Sequence, residues 1–142
     1  MFLTDLPFPV TIVAPDGWVR HTKAADDIRN WGISGVRKYS RSGFIVADAN
    51  GSVWRMVNIV PERKLTLWER FRTVPVLVPT KVTVEPVDGD SLTVFREHFA
   101  KALEKDDDSL TQFHTEEKIK SVVSSADSLP KLLATLHKMR VT

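Results

Sequence analysis

Asn50-Gly51 stands between two β-prone runs, Phe44 to Ala49 and Ser52 to Ile59. That pair supplies the left-handed backbone that a two-residue hairpin turn needs at both central positions. The segment predicts a β-hairpin. Pairing about a two-residue loop sets Ala49 opposite Ser52, Ala47 opposite Trp54, Ile45 opposite Met56 and Phe44 opposite Val57,. Both faces then carry apolar side chains toward the open end, as in a hairpin held inside a sheet and covered on both sides.

Strand and helix signals surround it unevenly. Phe8 to Ala14 reads as a first strand, closed by the turn Pro15-Asp16-Gly17,. Thr22 as N-cap, Asp26 and Asp27 near the start, and Ala24, Ala25, Ile28 and Trp31 at helical spacing predict a short amphipathic helix ending at Gly32,. Val36 to Ser40 predicts a strand, and Arg37, Lys38 and Arg41 mark it as an edge,. Pro61 and Glu62 at a first turn, with Leu65, Trp68 and Phe71 at helical spacing, predict a helix over 61–72, although Lys64 to Leu67 also alternates as a strand would,. Val76 to Val87 returns to strand character, and Pro79 and Pro86 suit an edge position,.

Past Asp88-Gly89 the period is helical throughout. Leu92, Phe95, Phe99, Ala102 and Leu103 line one face of a helix capped by Asp90 or Ser91 and ended by Asp106-Asp107-Asp108,. Ile119, Val122 and Val123 predict a second helix after Thr115. Leu129, Leu132, Leu133, Leu136 and Met139 predict a third, with Ser128 as cap and Pro130 in its first turn,. Strands followed by a block of helices give an α+β fold: a single domain over residues 1–142, sheet-rich in 1–87 and helical in 88–142. Its helices pack on one face of a largely antiparallel sheet.

Composition narrows the classes. A chain of 142 residues can bury roughly 68–70% of its unfolded surface in one core. It contains no cysteine, which removes disulfide frameworks, thiolate zinc sites and cysteine nucleophiles together and fits a reducing compartment. Met1 to Pro7 carries an aspartate and a proline where a signal peptide keeps an apolar stretch,. No run approaches the roughly 18 apolar residues of a membrane span. A soluble, cytoplasmic protein with no membrane association is expected. The net charge of +2 is split: residues 1–84 hold 12 Lys+Arg against 7 Asp+Glu, and residues 85–142 hold 8 against 11.

No catalytic, metal or cofactor motif is legible. His21, His98, His114 and His137 lack the converging ligands that zinc requires,. The carboxylate pairs Asp26-Asp27 and Glu116-Glu117 fall where helix termini already favour acid,. Gly32-Ile33-Ser34-Gly35 has no Lys-Ser or Lys-Thr after its second glycine and is not a phosphate loop,. Two basic clusters with aromatic neighbours remain. Arg37, Lys38, Tyr39 and Arg41 form one; Arg55 with Arg63, Lys64, Arg70 and Arg72 around Trp54, Trp68 and Phe71 forms the other. Arginine forks and aromatic area suit a partner surface, and Arg37, Lys38, Tyr39, Arg41, Arg55, Trp68 and Arg70 are its candidate residues. The competing reading is an edge strand blunted by charge and a solvated helix face, with Arg55 paired to Asp48 on the hairpin. Trp31 and Trp54 are expected in the core, Trp18 and Trp68 nearer a surface.

The expected function is that of a small protein-binding module, for instance an inhibitor or immunity-type protein that blocks a partner enzyme. Nucleic-acid binding through the basic N-terminal part is the alternative, and an enzyme with a non-local site the third. The edge over Val36 to Arg41 also offers a route to a homodimer.

Overall fold

Asp48 shapes the hairpin and moves it by one residue from the predicted register. A computed structural model of the chain describes residues 1–32, 36, 43–68, 77–106 and 108–141. In it the Asp48 carboxylate accepts the backbone N–H groups of Asn50 (2.9 Å) and Ser52 (3.0 Å), and Gly51 N–H donates to the Asp48 carbonyl at 3.0 Å. Of the Asn-Gly pair only Gly51 is left-handed, at φ 78°. This is a three-residue loop closed by Asp48 and Ser52, the geometry in which a turn is followed by a glycine bulge. Strand β4 (Ile45–Ala47) therefore pairs with β5 (Val53–Pro61) as Ala47 with Val53, Val46 with Trp54 and Ile45 with Arg55. A side-chain carboxylate that binds two turn amides outweighs the intrinsic preference of Asn-Gly for a two-residue loop.

The sheet also contains β1 (Val10–Val13), β2 (Val19–Thr22), β3 (Asn30–Gly32) and β6 (Leu77–Pro86). Its order is β2-β1-β4-β5-β6-β3, every neighbouring pair is antiparallel, and the sheet is curled. The hairpin lies at its centre, buried on both faces as its composition requires. Phe44, Val46 and Met56 join Leu3, Val10, Ile12, Ile28, Ile59, Val78, Val82 and Val84 on one side. Ile45, Ala47 and Val53 meet the helices on the other. Trp31 and Trp54 pack half-buried against the first cluster.

The helical layer follows its local signals. Helix α1 (Ser91–Glu104) is capped by Asp90, which accepts the Thr93 N–H; α2 (Glu116–Ser125) is capped by Thr115 and α3 (Leu129–Lys138) by Ser128. Phe95, Phe99, Ala102, Leu103, Ile119, Leu132 and Leu136 form the buried stripe. Arg96 of α1 donates to the carbonyls of Val123 (2.9 Å), Ser124 (3.2 Å) and Ala126, answering the unpaired carbonyls at the end of α2.

Further expectations are corrected. The predicted helix from Thr22 to Trp31 is a 3-10 turn over Ala25–Ile28, and Trp31 lies in β3. The backbone of β6 captures this stretch, pairing Trp31 with Val78 and taking Arg29 O on Thr80 N–H at 2.9 Å. Val19–Thr22, unassigned from sequence, is an edge strand. Pro61 is the last residue of β5, paired with Thr80, so no helix starts there; residues 62–66 are irregular, Leu67 and Trp68 are helical, and the remainder of 61–72 lies outside the described residues. Strand β6 is interior: β5 flanks one side, and β3 flanks the other with a Phe2–Thr83 bridge. The predicted edge strand over Val36 to Ser40 lies outside the described residues apart from Val36, which is helical rather than extended and is buried in the first cluster.

Candidate functional site

The turn Pro15-Asp16-Gly17 opens one side of a broad concavity. Gly17 adopts φ 97°, and a Cβ there would stand 2.9 Å from the carbonyl oxygen of Lys105 at the end of α1. Only glycine allows that approach without displacement. The tight turn places Trp18 just ahead of β2, with Ala14 N–H bonded to Trp18 O at 2.7 Å. Alternation along the strand then places Arg20 on the same side as Trp18.

From the opposite edge of the sheet, β3 delivers Trp31. Its indole N–H donates to Ile28 O at 3.0 Å, which satisfies the polar handle of a half-buried ring,. Both indoles stand nearly perpendicular to Phe44, Trp18 at 6.1 Å and 88°, Trp31 at 5.8 Å and 90° between ring centres and planes. Ile12, Ile28 and Phe44 complete the apolar lining. The outer strands β2 and β3 line one cavity of about 610 Å³ because the sheet curls until its two edges face each other. That volume lies within the range of ligand-binding clefts, roughly 300–1,000 Å³. Trp18 is 39% exposed and Leu77, at the mouth, 68%.

Two cations stand in the lining. Arg20 Nη2 donates to Asp27 O at 3.3 Å, and Lys105 Nζ to Pro15 O at 3.1 Å. The ion pairs among the described residues are Arg29–Asp26, Arg55–Glu85, Lys120–Glu116 and Lys131–Asp127, so both cavity cations rest on neutral carbonyls. Asp16 supplies a carboxylate and Ser109 a hydroxyl. The Ser109 hydroxyl is committed to Asp106 at 2.9 Å. Burial works against the Asp106 carboxyl, but hydrogen bonds from Leu110, Ser109 and Thr111 outweigh it and hold the group below its ordinary range,. No histidine is among the described lining residues, and among the described residues no group of three His, Asp or Glu could hold a metal ion.

A second feature lies away from the cavity. The rings of His21 on β2 and His137 on α3 stack at 4.0 Å, with Thr11 Oγ1 3.4 Å from His21 Nδ1. Partial burial, then the neighbouring His137 and Lys23, push the His21 imidazole below its ordinary value of 6.5.

Of the residues singled out in the sequence, Arg37, Lys38, Tyr39, Arg41 and Arg70 lie outside the described residues. Arg55 is exposed on β5 and pairs with Glu85 at 3.6 Å. The expected pairing with Asp48 is overturned: the register turns Asp48 toward Trp54, whose indole N–H it accepts at 2.8 Å. Trp68 is 77% exposed, and neither it nor Arg55 lines the cavity. Sequence reasoning missed Arg20, Trp31 and Lys105 as neighbours because they come from β2, β3 and the end of α1. The one local hint was Trp18 and Arg20 two residues apart on a potential strand.

Among the described residues no helix is long and apolar enough to cross a membrane. No protein-family model, curated protein or solved structure matches this chain.

Proposed function

We propose that this chain is a small protein-binding module, of the inhibitor or immunity type that blocks a partner enzyme, and that it seats a segment of its partner in the cavity between β2 and β3. The observation that carries this reading is an open aromatic concavity whose rim exposes Trp18 and Leu77 beside two cations resting on neutral carbonyls. Tryptophan and arginine dominate the energetics of protein interfaces when set in a pocket that excludes water, and exposed apolar rim groups extend that seal. Arg55 engages Glu85 and lends no specific support to the nucleic-acid alternative.

The test is affinity capture of the tagged chain from its native host, in nuclease-treated and untreated lysates, comparing wild type with Trp18→Ala and Leu77→Ser. A protein recovered in near-stoichiometric amount after nuclease, and depleted with both variants, supports the reading. Equal recovery with the variants moves the interface away from the cavity. Recovery of nucleic acid alone replaces the reading with the alternative.

A further inference from the structure

The cavity combines two chemistries that single out a kind of partner segment. Its deep lining, Ile12, Ile28 and Phe44, is apolar, and of its two indoles that of the less exposed Trp31 is already bonded to Ile28 O. An entering group gains from area and ring contact there, and any polar edge it carried would lose water without compensation. At the mouth the charge is reversed in character: Arg20 and Lys105 against Asp16 leave a net positive rim among the described residues. The Arg20 contact, 3.3 Å to a carbonyl, is at the long end for a hydrogen bond,. A carboxylate makes a charge-assisted bond roughly twice as strong and displaces such a contact readily.

Resting on the protein-binding reading above, we infer that the cavity recognises an acidic segment carrying an aromatic residue. The ring enters between Trp18 and Trp31, and a neighbouring carboxylate meets Arg20 and Lys105. A nucleotide fits less well. Its base edges carry several donors and acceptors that the described apolar lining leaves unpaired.

The experiment titrates the full chain with N-acetyl-Glu-Phe-Glu-amide, its neutral counterpart N-acetyl-Gln-Phe-Gln-amide, and adenosine monophosphate, following the indole N–H resonances of Trp18 and Trp31. Wild type is compared with Arg20→Gln and Lys105→Gln, exposed positions whose replacement leaves the core intact, as a thermal melt verifies. The acidic peptide is expected to shift both indoles saturably and to bind at least threefold more tightly than the neutral one. Each replacement is expected to reduce that preference by about threefold, the scale of an exposed charge pair, and to leave the neutral peptide unchanged. Equal affinity for the two peptides overturns the acidic specificity while leaving the cavity as a partner site. Absence of any indole shift at millimolar peptide overturns the cavity reading with it. A preference for adenosine monophosphate transfers the site to nucleotides.

Discussion

Asp48 offers the sharpest test of how this fold is held. Its carboxylate is buried, 2% exposed, and accepts three N–H groups: Asn50 and Ser52 in the turn, and the Trp54 indole at 2.8 Å. Asp48→Asn conserves shape and leaves an oxygen for the turn amides, but it points an amide N–H at the indole N–H. One charge-assisted bond is lost at a half-buried group, a cost of about 1.5–3 kcal/mol. At about 2–4 °C per kcal/mol for a chain of this size, the melting temperature falls by about 3–12 °C. Asp48→Ala removes all three acceptor contacts; the amides at exposed Asn50 and Ser52 regain water, so its cost is about 3 kcal/mol. Trp54→Phe deletes the indole N–H alone. In that background Asp48→Asn is expected to cost at least about 1 kcal/mol less than in wild type, read from urea denaturation by far-UV circular dichroism with unchanged slope. An identical cost in both backgrounds refutes the argument that the carboxylate is held for the indole.

Three further expectations follow from single contacts. Gly51→Ala forces a side chain into left-handed backbone at φ 78° with its Cβ 2.9 Å from the Pro130 ring, and denaturation should show a loss of about 1–3 kcal/mol; stability within error of wild type counts against the packing of turn on α3. Arg96→Ala leaves the carbonyls at the end of α2 without their donor, costing about 1–3 kcal/mol and raising amide exchange in α2 before α1; uniform exchange would argue against a hook. For His21 the folded value lies below the ordinary 6.5, so below 6.5 the unfolded chain binds the proton first. Stability is full above that pH, falls as pH drops from 6.5 to the lowered value, and levels off beyond it. His21→Gln should flatten this dependence between pH 8 and pH 5, and an unchanged slope would place the titrating group elsewhere.

What was legible in the sequence was what is encoded locally. Asp90, Thr115 and Ser128 announce helix starts because each cap bonds an amide within three residues of itself, and the stripes behind them need only one helical period. The hairpin was legible for the same reason. Its register was not, because it depends on where one carboxylate bonds. Ala24, Ala25, Ile28 and Trp31 satisfy a helical period, yet Asn30–Gly32 become a strand because β6 offers them a ladder from nearly fifty residues away. Pro61 could open a helix or close a strand, and the pairing with Thr80 decides. The cavity is the extreme case. Its walls come from the two outermost strands and the end of a helix, and nothing in the local pattern says that the sheet curls far enough to bring them together.

That curl has a mechanical consequence. The cavity and the helical layer lie on opposite sides of the sheet, yet Lys105 belongs to both: its ammonium faces the cavity and holds Pro15 O, and its carbonyl rests against Gly17, where no side chain intervenes to absorb a displacement. The end of α1 and the turn that carries Trp18 are therefore in direct contact. Filling the cavity would be felt across the sheet, and amide exchange in the last turn of α1 would register an event on the far face that no residue of the helical stripe touches.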